Sequence, residues 1–302
     1  MLDKIVIDVS QYNGVINWNK VDADEVYIRI GYRGYTAGTI KQDIKFLANV
    51  QAAIKVGIAV GFYFMSQAIN ESEAIEEANY VVDCIKDFPV ELPIMYDSEL
   101  SGAKNNTGRA DHLSKTQRTA IVIAFCDRIK ELNYESGVYA STSWFKSNLD
   151  VSQLLNYHIW VAQYASNCTA THRKDMWQYT SKGSIAGISG NVDISHSYTD
   201  FTNSTVTATN NLYTEPTYCL YKGRLTQSKE YVKWLQYHLI RLGHMDKFNT
   251  NGKSNIDGFF GKITDTAFRD FQSANPCTYT TNEPDGKCGT LSRNCLKNII
   301  ES

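Results

Sequence analysis

Eight short runs of β-branched and aromatic residues, spread through the first two hundred positions, constrain the fold of this chain more than any other feature. They span residues 5–9, 26–30, 58–65, 92–96, 137–140, 158–163, 176–179 and 192–194, each with the length and composition of a strand. Helical periodicity separates the early ones. Phe46, Val50, Ala53 and Ile54 fall at three- or four-residue spacing, as do Ala74, Ile75, Ala78, Val81, Val82 and Ile85, and then Ile121, Phe125, Ile129 and Leu132. Strands alternating with helices build parallel sheets, and eight of them can close into a barrel. Past Ala140 the helical signal shrinks to short pieces near residues 144–148 and 151–155. The expected fold is therefore α/β, an irregular TIM-like (β/α) barrel with reduced helices after the last strands.

From Thr199 to Asn211 the chain turns to Thr, Asn and Ser without apolar periodicity, which reads as a linker. The expected division is a barrel over residues 1–200, a linker over 201–223 and a second domain over 224–302. In that second domain Val232, Leu235, Leu239 and Leu242 mark an amphipathic helix, with Gly243 placed to end it. A short repeat follows, D-G-x-x-G-x-x-[ST], at Asp257–Thr264 and again at Asp285–Ser292. Asp-Gly sets a tight turn and the second Gly lets the chain reverse into a helix, so the tail should be a small, mainly α, three-helix module.

Of 302 residues, 43% are hydrophobic and 21% charged, which excludes global disorder. Thirty basic and thirty-two acidic residues leave a net charge of −2, the wrong balance for a nucleic-acid partner held by bulk electrostatics. The charge is uneven: residues 221–302 carry 12 Lys+Arg and 8 Asp+Glu, against 18 and 24 before them. No stretch reaches the roughly 18 apolar residues of a membrane span. The first apolar run is broken by Asp8 and too short for a signal peptide, so cytoplasmic synthesis without an export signal is expected. Seven cysteines with no C-x-x-C argue against structural zinc. Cys84 and Cys126 read as buried thiols; Cys219, Cys277, Cys288 and Cys295 crowd the tail and leave a disulfide there open. The six histidines form no metal or triad motif, and no cofactor or metal is expected. No feature assigns an oligomeric state.

Chemistry in a parallel barrel sits at the strand C-termini, and four carboxylates fall at or near run ends. Asp8 closes the first run, Asp97 and Glu99 follow the fourth, and Asp193 lies in the eighth. Strands one and eight become neighbours on closure, which brings Asp8 toward Asp193. On extended backbone Asp97 and Glu99 leave the same face at roughly 7 Å spacing. Glycoside hydrolysis needs such a set, one carboxylic acid to protonate the leaving oxygen and an ionised one to support the developing positive charge. Like charges raise the proton affinity of one member, so Asp8, Asp97 and Asp193 can keep Glu99 protonated. Where the sugar carries a 2-acetamido group, its carbonyl can serve as nucleophile with Asp97 orienting the amide.

The segments Ile7-Asp8-Val9-Ser10-Gln11-Tyr12-Asn13-Gly14, Asp97-Ser98-Glu99, Ile159-Trp160-Val161-Ala162-Gln163-Tyr164 and Met176-Trp177-Gln178-Tyr179, with Gly187 through Asp193, carry a resemblance. Over about residues 3–198 the chain resembles the glycoside hydrolase family 25 lysozymes, N-acetylmuramidases that cleave the β-1,4 bond between N-acetylmuramic acid and N-acetylglucosamine. The resemblance implies a β/α barrel whose last strands lack full helices, Glu99 as acid/base, Asp97 stabilising the reacting centre or its oxazolinium intermediate, and Asp8 and Asp193 completing the pocket. Tyr63, Tyr139, Trp160, Gln163 and Trp177 sit at strand ends beside the acids as candidate sugar contacts. One position departs: a His commonly follows the Tyr of the family's third strand, and Phe64 stands there, which puts subsite preference in question. Leu235-Gln236, Leu242-Gly243, Asp257 to Gly261, Thr264, Ala267, Phe271-Gln272 and Asp285-Gly286 resemble the peptidoglycan-binding type 1 domain over roughly residues 227–300. That implies attachment to the bacterial cell wall. The expected lack of an export signal points to an endolysin of phage or prophage origin, with an exported autolysin as the alternative.

Three other readings stay open on residues alone. A chitinase-like hydrolase would also be substrate-assisted, but its fuller pattern places a further Asp where Met95 stands. The acids could instead form a divalent-metal site, or the barrel could be catalytically dead and serve only to bind walls.

Overall fold

The computed structural model describes residues 4–86, 88–201, 213–246, 255–278 and 283–301. The chain divides into two compact units, residues 1–86 with 90–206, and residues 87–89 with 207–302. Most of the Thr/Asn-rich stretch read as a linker lies outside the described residues.

The first unit is a closed barrel. Its elements are β1 (Lys4–Val9), β2 (Glu25–Arg33), β3 (Ile40–Gln42), α1 (Phe46–Lys55), β4 (Ala59–Met65), α2 (Glu71–Ile85), β5 (Ile94–Asp97), α3 (Lys115–Glu131), β6 (Ser136–Ser141), α4 (Thr142–Asn148), β7 (His158–Ala162), β8 (Met176–Gly183) and β9 (Val192–Ser197). The sheet runs β1-β9-β8-β7-β6-β5-β4-β2-β3, and β1 also pairs with β2 to close the ring. Eight of these strands are the eight runs legible in the sequence. β3 is a three-residue addition, antiparallel to β2, too short to stand out as a run. The helices taper as expected, from the fifteen residues of α2 and seventeen of α3 to the seven of α4.

The parallel order expected from alternation fails at one strand. β9 is antiparallel to both β8 and β1. Only residues 184–191 connect β8 to β9, and a parallel crossover needs a dozen or more, so the chain returns as a hairpin. Asp193 therefore stands near the start of its strand, and the reversal brings that start to the end of the barrel where the other strands finish.

Strand alternation divides the interior into two tiers. Val6, Tyr27, Leu92, Met95, Trp160, Met176 and Phe201 form a buried apolar floor, with Tyr63 and Tyr139 packed on it. Two residues further along β1 and β5, on the same face, come Asp8 and Asp97. Gly61 makes room for this floor, since a Cβ there would come within 2.7 Å of the Tyr27 ring and 2.8 Å of Leu92. On the opposite faces Phe62 meets Phe46 of α1, Phe64 meets Tyr80 of α2 and Tyr96 meets Phe125 of α3, sealing barrel to helices.

The second unit carries α5 (Lys229–Arg241), α6 (Lys262–Ala274) and α7 (Thr290–Glu301). Its repeat extends beyond the D-G motif. Gln236 of α5 donates to Asp257 at 2.8 Å and accepts from the Gly258 N–H at 2.9 Å. Gln272 of α6 does the same to Asp285 and Gly286, both at 2.8 Å. Gly258 and Gly286 hold φ of +73° and +68°, a region open to Gly at no steric cost. Each buried Gln thus clamps the turn that launches the next helix. Gln236→Leu leaves the Gly258 N–H and one Asp257 interaction unmade in a buried site and should destabilise this unit by about 1–3 kcal/mol, measurable by thermal unfolding; a loss below about 0.5 kcal/mol would dismiss the clamp. Cys219 and Cys288 are unbridged thiols, and the Cys277 side chain lies outside the described residues. Among the described residues no helix is long and apolar enough to cross a membrane.

Candidate active site

The barrel mouth opens into a cleft of about 570 Å³ whose lining includes Asp8, Asp97, Glu99 and Asp193. β1 and β9 place Asp8 directly opposite Asp193 in their antiparallel register. Asp97 ends β5 and points inward, two residues beyond Met95 of the floor. Ser98 is held away from the cleft: its N–H donates to the Tyr139 carbonyl at 2.9 Å, and its hydroxyl accepts from Trp144 Nε1 of α4 at 3.0 Å. That anchoring carries the strand's alternation one step further and delivers Glu99 to the same cleft.

All four carboxyls are pushed above their ordinary range, chiefly by burial. Asp8 also feels Asp193 and Glu99, while the hydrogen bond from Gln178 opposes the rise. Asp97 feels Glu99 and Asp8, opposed by Arg29, and burial alone raises Asp193 against a backbone hydrogen bond. Glu99 stands solvent-exposed in the mouth, yet the protein atoms crowding around it and the Asp193 charge lift it too, with Arg29 opposing. Asp97 is 5% exposed, and its Oδ1 is buried without a protein hydrogen-bond partner. Crowded acids with raised proton affinity provide both a donor and an anionic acceptor within one site.

Of the five expected sugar contacts, Tyr63, Tyr139 and Trp160 line the cleft. Trp160 forms its floor, packed at a tilt against Tyr27 and edge-to-face against Tyr139 with ring centres 4.7 and 5.0 Å away, its Nε1 donating to Ser195 at 3.0 Å. Gln163 and Trp177 are not among the lining residues. Gln163 accepts from the Thr142 hydroxyl at 3.0 Å and the Thr169 N–H at 2.8 Å, and Trp177 Nε1 donates to the Gln163 carbonyl at 2.9 Å. Both stitch the loop after β7, Gln163 because it lies just past the strand and Trp177 because it alternates outward beside Tyr179 and His196. Phe64 is also outside the cleft, fully buried against Tyr80.

Several lining residues were not singled out by sequence reasoning. Arg29 is the cation nearest the acids in effect; it is buried against Asp43 at 2.7 Å and stacked beneath the largely exposed ring of Tyr12, 5.0 Å from its centre. Tyr32 also faces in. A bulge between Arg29 and Gly31 shifts the register so that Tyr32 pairs with Met65, a residue of the cleft lining, reversing the parity that simple alternation would give. Gln178, 2% exposed, donates through Nε2 to Asp8 Oδ2 at 2.8 Å and accepts the hydroxyls of Tyr139 at 2.8 Å and Tyr164 at 3.1 Å. For Tyr12, Tyr164 and Gln178 the sequence offered only their place inside motifs, and for Arg29 and Tyr32 not even that.

Against known protein families, residues 7–188 match the model described as "Glycosyl hydrolases family 25". The chain belongs to this family. Residues 228–291 match a second family, described as "Putative peptidoglycan binding domain". Among family 25 relatives, Lysozyme M1 of Streptomyces globisporus is 27% identical over 198 residues, 62% of this chain and 65% of that protein. An autolytic lysozyme of Clostridium acetobutylicum is 25% identical over 191 residues, 62% of this chain and 54% of that one. The modular autolysin LytC from Streptococcus pneumoniae, solved in complex with a synthetic peptidoglycan ligand, superposes with a TM-score of 0.58 at 30% identity, covering 65% of this chain and 47% of LytC. The chain thus spans less than two thirds of the length of these relatives.

Proposed function

We propose that this family 25 member is a peptidoglycan hydrolase that cleaves the β-1,4 bond between N-acetylmuramic acid and N-acetylglucosamine in bacterial cell walls. The observation that carries the reading is the convergence of Asp8, Asp97, Glu99 and Asp193 on one cleft at the barrel mouth. Glu99, exposed in the mouth and biased toward its protonated form, is the general acid that protonates the leaving oxygen. Asp97, with a buried and unpartnered oxygen, receives the substrate's acetamido N–H and turns its carbonyl toward the anomeric carbon, which makes the reaction substrate-assisted. Asp8 and Asp193 supply the negative field that keeps the proton on Glu99 and stabilises positive charge at the sugar. Tyr63, Tyr139 and Trp160 support the sugar rings. The tail holds the enzyme to its polymeric substrate, a reading supported by its family match and by the wall-lysing relatives of the barrel.

Mass spectrometry of purified peptidoglycan digested by the protein tests the assignment. New reducing ends at muramic acid are expected; reducing ends at glucosamine would sink it, and activity abolished by chelation would favour the metal-site reading. Pull-down of residues 212–302 on purified walls tests the tail, which loses its assigned role if the fragment stays in the supernatant.

A further inference from the structure

Gln178 connects three groups of the cleft that no catalytic role yet links. It sits on β8 between β7 and β9, pointing inward above Met176, and every polar atom of its amide is engaged. Nε2 donates to Asp8 Oδ2 at 2.8 Å, while Oε1 accepts both the Tyr139 and the Tyr164 hydroxyls, at 2.8 and 3.1 Å. An amide nitrogen only donates and an amide oxygen only accepts. In this arrangement Asp8 must therefore present an unprotonated oxygen to Gln178. Both tyrosine hydroxyls spend their protons on the same amide, so toward the cleft their oxygens can act only as acceptors; Tyr164 is in addition hydrogen-bonded to Ser181 and to Tyr139.

We propose that Gln178 is a positioning residue of the reaction: it fixes Asp8 as a hydrogen-bond acceptor and turns Tyr139 and Tyr164 into acceptors for substrate hydroxyl or amide protons. The inference rests on the muramidase reading for its catalytic consequence, although the hydrogen-bond geometry stands without it. Asp8 is a carboxyl for which such help matters. Asp193 on β9 faces it directly, Glu99 beyond β5 adds like charge, and Asp97 of β5 and Tyr63 of β4, across the barrel mouth, feel its charge in turn. The cations of the same cleft are Arg29, committed to Asp43, and Arg33, committed to Glu77. Gln178 is thus the neutral donor that supports negative charge on Asp8 without adding a cation that would ionise Glu99.

Two substitutions separate this role from packing. Gln178→Leu removes all three hydrogen bonds at similar volume. Gln178→Glu keeps the shape and can donate to Asp8 only while its own carboxyl is protonated. Relative to wild type at the same pH, the Leu variant should lose about 10- to 100-fold in kcat on purified peptidoglycan, with KM changed less than about threefold. The Glu variant should approach wild-type rates toward low pH and fall away as pH rises. Titration of Asp8 in the full-length protein, followed by carbon NMR of labelled aspartate, should show its midpoint raised by about one pH unit in the Leu variant. An unmoved Asp8 midpoint, a Glu variant indistinguishable from wild type at every pH, or a loss confined to KM would overturn the proposal. The NMR readout does not depend on the reaction, so a failure of the muramidase reading, seen as missing muramyl ends with the wild type, is distinguishable from a failure here. Should the Leu variant not fold, the isosteric Glu variant and its pH profile decide the question.

Discussion

Glu99→Gln should lower the release of muramyl reducing ends by about 10³-fold or more, since general acid catalysis is worth roughly 10²–10⁴ and the remaining acids cannot replace it. Asp97 and Asp8 are buried and set on the strands, whereas Glu99 stands in the open mouth one step further out, where a leaving oxygen can reach it. Gln preserves size and hydrogen bonding but has no proton to give. The fold should be unaffected, because the side chain is exposed and no packing depends on its charge. A second signature lies in the pH profile. The protein atoms crowding around Glu99 and the Asp193 charge hold its proton above the ordinary carboxylate range, so wild-type activity should decline on the alkaline side as Glu99 ionises. That limb should vanish from the residual activity of the variant. A loss smaller than tenfold, with the alkaline limb intact, would remove Glu99 from the acid role.

Asp97→Asn is expected to move activity and stability in opposite directions. Activity should fall by about 10²–10³-fold, the usual cost of removing a preorganised group at a reacting centre. Stability should rise. Asp97 is buried, one oxygen is unpartnered, and Glu99 and Asp8 oppose its charge. A carboxyl whose folded pKa lies above its unfolded value takes up a proton on folding, so its penalty is absent below about pH 3.8 and grows as pH climbs through the folded value. The Asn variant escapes that penalty, and the stability gap should open over the same window, reaching on the order of 1–3 kcal/mol at neutral pH. Denaturant unfolding of both proteins from pH 4 to pH 8 measures it. A variant less stable than wild type, with a deficit that widens as pH rises, would show that the native site favours the Asp97 charge.

Much of this site could be read in one dimension because strands alternate with period two. Once Val6 and Met95 are floor residues, Asp8 and Asp97 must share their face, and the pairing of acids across closure follows from strand order. Trp177 and Gln163 misled for the same reason: position at a strand end says nothing of face, and both turned away from the cleft to hold a loop. Tyr32 was hidden by a bulge that reverses parity, a one-residue irregularity with no mark in the hydrophobic pattern. The clamps in the tail were hidden differently. Gln236 lies 21 residues before its Asp and Gln272 only 13 before its own, so the full repeat has no constant period.

The sequence by itself determined the barrel, its eight strands, the tapering helices and the four acids, since these depend on local composition and on periodicities that each segment carries alone. Only the tertiary structure decided the direction of β9, and with it why Asp193 joins the mouth from the start of its strand. It also decided which polar side chains hold the acids in place. Arg29, Gln178 and Tyr164 acquire their roles from partners distant in the chain, 170 residues apart for Gln178 and Asp8, and a hydrogen bond or a charge pair leaves no periodic trace in either partner's own segment.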